Sequence, residues 1–138
     1  MRQKSQCGME YSDLLTENEL QLSVAKYLRV MEKVLSSQGI NICWHHSPNE
    51  VGQRTGVGLI QKRKRQGVRS GWVDIEVIYK GRFIGIELKT KKGRVSEAQK
   101  KCHDDITLAG GLVTVCRSLT EVMDFMETAC GYSKRGDI

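Results

Sequence analysis

Two alternating apolar runs, Val73–Tyr79 and Phe83–Lys89, are separated only by Lys80 and Gly81. No other feature constrains the fold of this chain so tightly. Runs of this length and period read as strands, and a two-residue linker with glycine at its second position reads as a tight hairpin turn. With that turn, Tyr79 faces Arg82, Val77 faces Ile84 and Ile75 faces Ile86. Continuing the register sets Glu76 across from Gly85 and Asp74 across from Glu87. Slipping by one residue would drive the apolar set to the solvent face. Because side chains alternate along a strand, Glu87 and Lys89 share one face, opposite Ile84, Ile86 and Leu88.

The remaining elements follow from local signals. Residues 1–15 read as a flexible N-terminal arm. Thr16 caps a helix, with Glu19 as the second half of a capping box. Leu20, Val24, Leu28, Met31 and Leu35 follow at helical spacing, and Gly39 ends the helix. Ile40 to His45 alternates as a strand, and His46-Ser47-Pro48-Asn49 breaks it. Glu50 to Gly71 shows no clear period, with room for a short helix around Leu59 to Gln66. After the hairpin and a basic loop at Lys91, Lys92 and Arg94, Ser96 caps a helix that ends at Gly110-Gly111. Leu112 to Arg117 is a strand. A last helix begins at Ser118 or Thr120 and turns Leu119, Val122, Phe125, Met126 and Ala129 inward. Residues 16–131 thus form a single mixed α/β domain, and 132–138 a tail.

Charge sets the partner class. The formal net charge is +6, which favours polyanions such as DNA. The basic residues are concentrated: residues 51–73 carry six and no acid, and residues 89–101 carry six with Glu97 the only acid. Arg54, Lys62, Arg63, Lys64, Arg65, Arg69, Lys91 and Lys92 are the expected phosphate contacts. Such contacts position a duplex and do not read bases. The five cysteines include no Cys-x-x-Cys pair, so neither a zinc site nor a disulfide framework is indicated. Met1–Glu10 lacks the apolar run of a secretory signal, and no stretch reaches the roughly 18 apolar residues of a membrane span. A cytoplasmic protein, in a bacterial cell or a phage-infected host, is the expectation.

The chemistry lies at the acids. Cross-strand partners have Cβ atoms about 4.5–5.5 Å apart, so Asp74 and Glu87 repel unless a cation lies between them. A hard divalent ion, Mg²⁺ or Mn²⁺, takes oxygen ligands, retains waters and binds phosphate oxygens beside one or two carboxylates. Lys89 shares the face and can steady the attacking water or the developing phosphate charge. The plain alternative is a solvated strand face with a salt bridge. Two features oppose it: Glu87 lies within the apolar run Phe83–Leu88, and the acids are embedded in the most basic part of the chain. His45, His46 and His103 lack partners at ligand spacing and read as structural, although His46 could also line a DNA groove. Asn49, after a proline, could tie down the following loop.

At these residues the chain resembles the VRR-NUC (virus-type replication-repair nuclease) family of the PD-(D/E)xK nuclease superfamily. The resemblance runs from about Thr16 to Arg117. It rests on Glu17-x-x-Leu20-Gln21, His46-x-Pro48-Asn49, Gly71-x-x-Asp74, Glu87-x-Lys89 and Gly93-x-x-Ser96-x-x-Gln99. It implies a restriction-endonuclease-like α-β-β-β-α-β core, here followed by a C-terminal helix. It also implies that Asp74, Glu87 and Glu17 hold the metal, that Lys89 is the catalytic lysine, and that Gln21 and Gln99 approach the site. Val73 stands where the family usually has proline. Glu17 falls on the core-facing side of the first helix, whereas Glu19 has a capping role; the bland account of Glu17 is an acid suited to the helix dipole. Gln99 is equally readable as the fourth residue of a Ser96 capping box.

The resulting expectation is a divalent-metal-dependent DNA endonuclease. Small members of the resembled family suggest a homodimer that acts on branched DNA such as four-way junctions. The alternatives are a non-catalytic nucleic-acid-binding module and a sequence-specific restriction-type endonuclease.

Overall fold

The computed structural model describes residues 15–48 and 56–132. Asn49 and Arg54, and nearly all of the arm and tail expected at the two ends, lie outside the described residues. The chain forms α1 (Glu17–Ser37), β1 (Ile42–His46), α2 (Val57–Arg65), β2 (Ile75–Tyr79), β3 (Arg82–Leu88), α3 (Glu97–Leu108), β4 (Leu112–Cys116) and α4 (Leu119–Cys130). The strands make one sheet in the order β1-β2-β3-β4. The first two pairings are antiparallel, and β3 runs parallel to β4. This is the single-domain, mixed-sheet α/β architecture expected from the element order.

The hairpin has the expected register, with Ile75 opposite Ile86, Val77 opposite Ile84 and Tyr79 opposite Arg82. Lys80 and Gly81 both take positive φ, 47° and 76°, as the two central residues of a type I′ turn do. One sheet face carries Ile75, Val77, Ile84, Ile86 and Leu88, all buried. Against it pack Leu20, Val24, Leu28 and Leu35 of α1 and Val122, Met126 and Cys130 of α4. These are apolar stripes at helical spacing, and truncating any of the leucines would cost about 2–5 kcal/mol. On α4, Leu119, Phe125 and Ala129 lie at the edge of this core, partly buried. Tyr132 packs there too, its hydroxyl bonded to that of Tyr27.

Several boundaries differ by one or two residues from the sequence expectation. Strand β1 starts at Ile42, because the Ile40 amide closes the end of α1 on the Leu35 carbonyl. Helix α2 begins at Val57, two residues earlier than expected, with Gly56 as a cap that makes no side-chain hydrogen bond. Strand β2 starts at Ile75 rather than Val73. There the Asp74 carboxylate takes the Leu88 amide, a donor that a continuing ladder would give to the main chain. Among the described residues, no helix is long and apolar enough to cross a membrane. Cys43, Cys102, Cys116 and Cys130 are free thiols.

Candidate active site

The second face of the sheet carries Glu87. It is the one charged side chain that β3 carries into the interior, and it is only 1% exposed. Three segments converge on it where β3 ends.

The first is the approach to β2. Asp74 Oδ2 accepts from the Leu88 amide at 2.7 Å, which pins this carboxylate beside the end of β3. The Asp74 carbonyl accepts from His46 Nδ1 at 2.8 Å and from the Ser47 amide at 2.9 Å. His46 therefore orients the main chain of the acid. Gly71 explains the first half of the Gly71-x-x-Asp74 motif. Its φ is +80°, and a Cβ there would lie 2.4 Å from the Ala98 carbonyl carbon and 2.5 Å from the Gln99 nitrogen. The loop entering β2 is thus seated directly on the first turn of α3, an approach open only to glycine.

The second segment is α3. Ser96 and Gln99 form a capping box: the Gln99 amide donates to Ser96 Oγ at 3.1 Å, and the Ser96 amide donates to Gln99 Oε1 at 2.8 Å. The other end of the same side chain, Gln99 Nε2, donates to Glu87 Oε1 at 2.9 Å. The capping box and the contact with Glu87 are compatible, because the amide has an acceptor and a donor. One turn further, His103 Nε2 stands 3.4 Å from Glu87 Oε2. The sequence reading treated His103 as structural. The signal that could have found it was its i+4 spacing from Gln99, which sets both side chains on one helix face.

The third segment is the start of α1. Glu19 is occupied in its capping box with Thr16. Glu17, exposed, lines a cavity of about 380 Å³ together with Gln21, His46, Asp74, Leu88 and Gln99. Glu76, on β2 two residues after Asp74, is turned aside: its Oε1 accepts from Trp72 Nε1 and from Ser47 Oγ. Lys89, half-buried, follows directly after β3, and its amide donates to the Cys116 carbonyl at 3.0 Å.

Burial pushes the Glu87 carboxyl up to about 9. The charge of Asp74, a hydrogen bond to it, and the charge of Glu17 push the same way, while Lys89 opposes them. Burial also lowers the His103 imidazole. A carboxyl held protonated by desolvation and by neighbouring acids is what an acid cluster becomes without a cation. Among the described residues, no three His, Cys, Asp or Glu side chains are grouped so as to hold a metal ion by themselves. The donor set fits a looser site. Asp74 and Glu17 offer hard oxygens to the cavity, Glu87 lies buried beside Asp74, and the open space leaves room for the waters and phosphate oxygens that Mg²⁺ or Mn²⁺ retains.

The expected phosphate contacts are distributed unevenly. Lys62, Lys64 and Arg65 are exposed on α2, which carries no acid, and Arg63 is half-buried. Arg69 is engaged with Asp105 at 2.6 Å. Lys91 and Lys92 are exposed on the loop after β3. Arg117 holds that loop through its Nη1, which donates to the carbonyls of Thr90 at 2.8 Å and Gly93 at 2.6 Å.

Comparison with known proteins bears on the family and the fold. The VRR-NUC domain family matches residues 16–119. A solved structure described as a VRR_NUC domain protein superposes with a TM-score of 0.58 at 22% identity, over 82% of this chain and 86% of that one, which is a likeness of fold. No curated protein sequence matches the chain.

Proposed function

Since the chain belongs to the VRR-NUC family of nucleases, we propose that it is an endonuclease that hydrolyses phosphodiester bonds in DNA with Mg²⁺ or Mn²⁺ bound at Asp74 and Glu87. The observation that carries this reading is the Glu87 carboxyl buried against Asp74, which itself lines an open cleft with Glu17, and the charge of Lys89 acting on the same carboxyl. A packed core gains nothing from such an arrangement, because two acids and no cation destabilise the fold. A bound divalent ion supplies charge neutralisation at the scissile phosphate and a more acidic attacking water.

The chain's own groups do the rest. Gln99 and His103 hold the two oxygens of Glu87, so that this carboxylate meets its ligand in one orientation. Asp74 is fixed through both its side chain and its carbonyl. Glu17 extends the negative rim of the cleft. The Lys89 ammonium is the group for steadying charge that develops on the phosphate. The exposed cations of α2 and of the loop after β3 bind the phosphate backbone without reading bases. Selection of a DNA shape, with branched forms such as four-way junctions foremost, suits such contacts better than selection of a base sequence. A two-fold homodimer would offer two cleavage sites to a symmetric junction. Free thiols suit a reducing cytoplasm.

The test uses four-way junction, flap, fork and plain duplex DNA, each with Mg²⁺, Mn²⁺ or chelator, beside Glu87→Ala and Lys89→Ala. Expected is metal-dependent cutting of branched forms that both substitutions abolish. Equal cutting by the variants would reject the site. Binding without cleavage in either metal would leave a non-catalytic module. Light scattering that gave a strict monomer on and off DNA would reject the dimer.

A further inference from the structure

Arg117 follows directly after β4 and is half-buried. Leu88 pairs with Cys116 in the parallel β3–β4 register, so Arg117 stands level with Lys89. Its guanidinium reaches across to the connection that leaves β3. There Nη1 donates to three main-chain carbonyls, those of Thr90 at 2.8 Å, Lys91 at 3.3 Å and Gly93 at 2.6 Å. The Gly93 amide donates to the Thr90 carbonyl at 3.1 Å, so Thr90–Gly93 is a turn closed around a cation. Charge repulsion from Lys89, Lys91 and Lys92 disfavours one more cation at this place. A guanidinium committed to neutral carbonyls there serves the shape of the turn. Arg117 is itself held: its amide donates to Glu121 Oε2 at 2.5 Å, in the first turn of α4, and Val122 and Met126 of that helix belong to the core.

We propose that Arg117 is a positioning residue for cleavage, which acts by closing the Thr90–Gly93 turn and so aiming Lys89. The inference rests on the nuclease reading and adds to it a residue that does not itself line the carboxylate cleft. The Lys89 amide is tied to the Cys116 carbonyl, and the carbonyl of the next residue, Thr90, is tied to Arg117. The main chain on both sides of the lysine side chain is thus fixed to the end of β4. Downstream, Gly93 lies three residues before Ser96, whose capping box orients Gln99 against Glu87. One guanidinium therefore governs the connection between two groups that act on the buried acid, Lys89 through its charge and Gln99 through a hydrogen bond. Without it, the turn keeps its own Gly93–Thr90 hydrogen bond but loses its attachment to β4, and Lys89 samples directions away from the cleft. A misplacement of about 1 Å at a reacting group costs on the order of a hundredfold in rate.

The test is single-turnover cleavage by the full 138-residue chain, with protein in excess over whichever DNA the parent cuts best, beside Arg117→Ala and Arg117→Lys. Affinity is measured with Ca²⁺ in place of Mg²⁺, and melting temperature alongside. Expected for Arg117→Ala is a rate constant at saturation lowered about ten- to a hundredfold, while the fraction of DNA cut and the affinity change by less than about threefold. Arg117→Lys, whose ammonium has three donors for the same carbonyls, recovers a clear part of the lost rate. A merely structural role would lower the melting temperature and the fraction cut, and would leave the rate constant of the competent molecules alone. That pattern, an unchanged rate constant, or equal losses in the two variants overturns the proposal. Absence of cleavage by the parent chain itself, in Mg²⁺ and in Mn²⁺, is a different result: it rejects the nuclease reading and this role with it.

Discussion

Glu87 makes the sharpest prediction, and it concerns the protein stripped of metal. Its carboxyl is raised from the ordinary 4.5 to about 9 in the folded chain, chiefly by burial and then by Asp74. The folded state thus keeps a proton that the unfolded state releases above about pH 4.5. The sign follows: this group's contribution is fully present at low pH and is lost as pH rises toward the folded value. One pH unit in that window is worth 1.36 kcal/mol, so moving from about pH 5 to about pH 7.5 removes on the order of 3 kcal/mol. Glu87→Gln keeps the shape and an acceptor for Gln99, and it has no proton to lose. Urea unfolding in chelator at both pH values should therefore show wild type losing about 3 kcal/mol relative to the variant. His103 titrates in the opposite sense, because its lowered value costs stability as pH falls, so the difference between the two proteins is the quantity to read. Mg²⁺ at the higher pH should restore stability to wild type and not to Glu87→Gln. Parallel pH profiles, or a wild type that gains on the variant as pH rises, would refute the buried-acid argument.

Three further outcomes follow from the geometry. Replacing Lys62, Lys64 and Arg65 by alanine should weaken DNA binding and reduce the slope of log K against log salt by about 0.9 per phosphate contact removed, measured by titrations at several salt concentrations. Gly71→Ala should destabilise by at least about 2 kcal/mol in chemical denaturation, because a side chain at φ +80° is strained and its Cβ meets the α3 backbone; cleavage should fall with it. Gln99→Glu should preserve helix content, since the capping box survives, and should keep the Glu87 carboxyl protonated to still higher pH in chelator, read by NMR titration, because it replaces the donor to Glu87 with a second acid.

Sequence reasoning was strongest where the signal was local. The hairpin register came from two facing apolar sets and a two-residue turn, and a slip would have exposed both sets. The same holds for the α1 stripe and for the assignment of Glu19 to a cap, which left Glu17 for the cleft. What escaped was set by tertiary contact. Asp74 leaves the strand because its carboxylate competes for a backbone donor, and alternation carries no trace of that. His103 matters through packing of α3 over the sheet, so its value lay in a neighbour that the linear chain does not reveal.

Position 99 illustrates how little freedom a small domain has. Its amide closes a helix with one end and grips an interior acid with the other. Glutamate would suit the helix and offend the acid; lysine would do the reverse; asparagine has the right atoms on too short a stem. Loss of activity after any change there would mix a loosened scaffold with a misaimed ligand, and only a stability measurement made alongside could tell them apart.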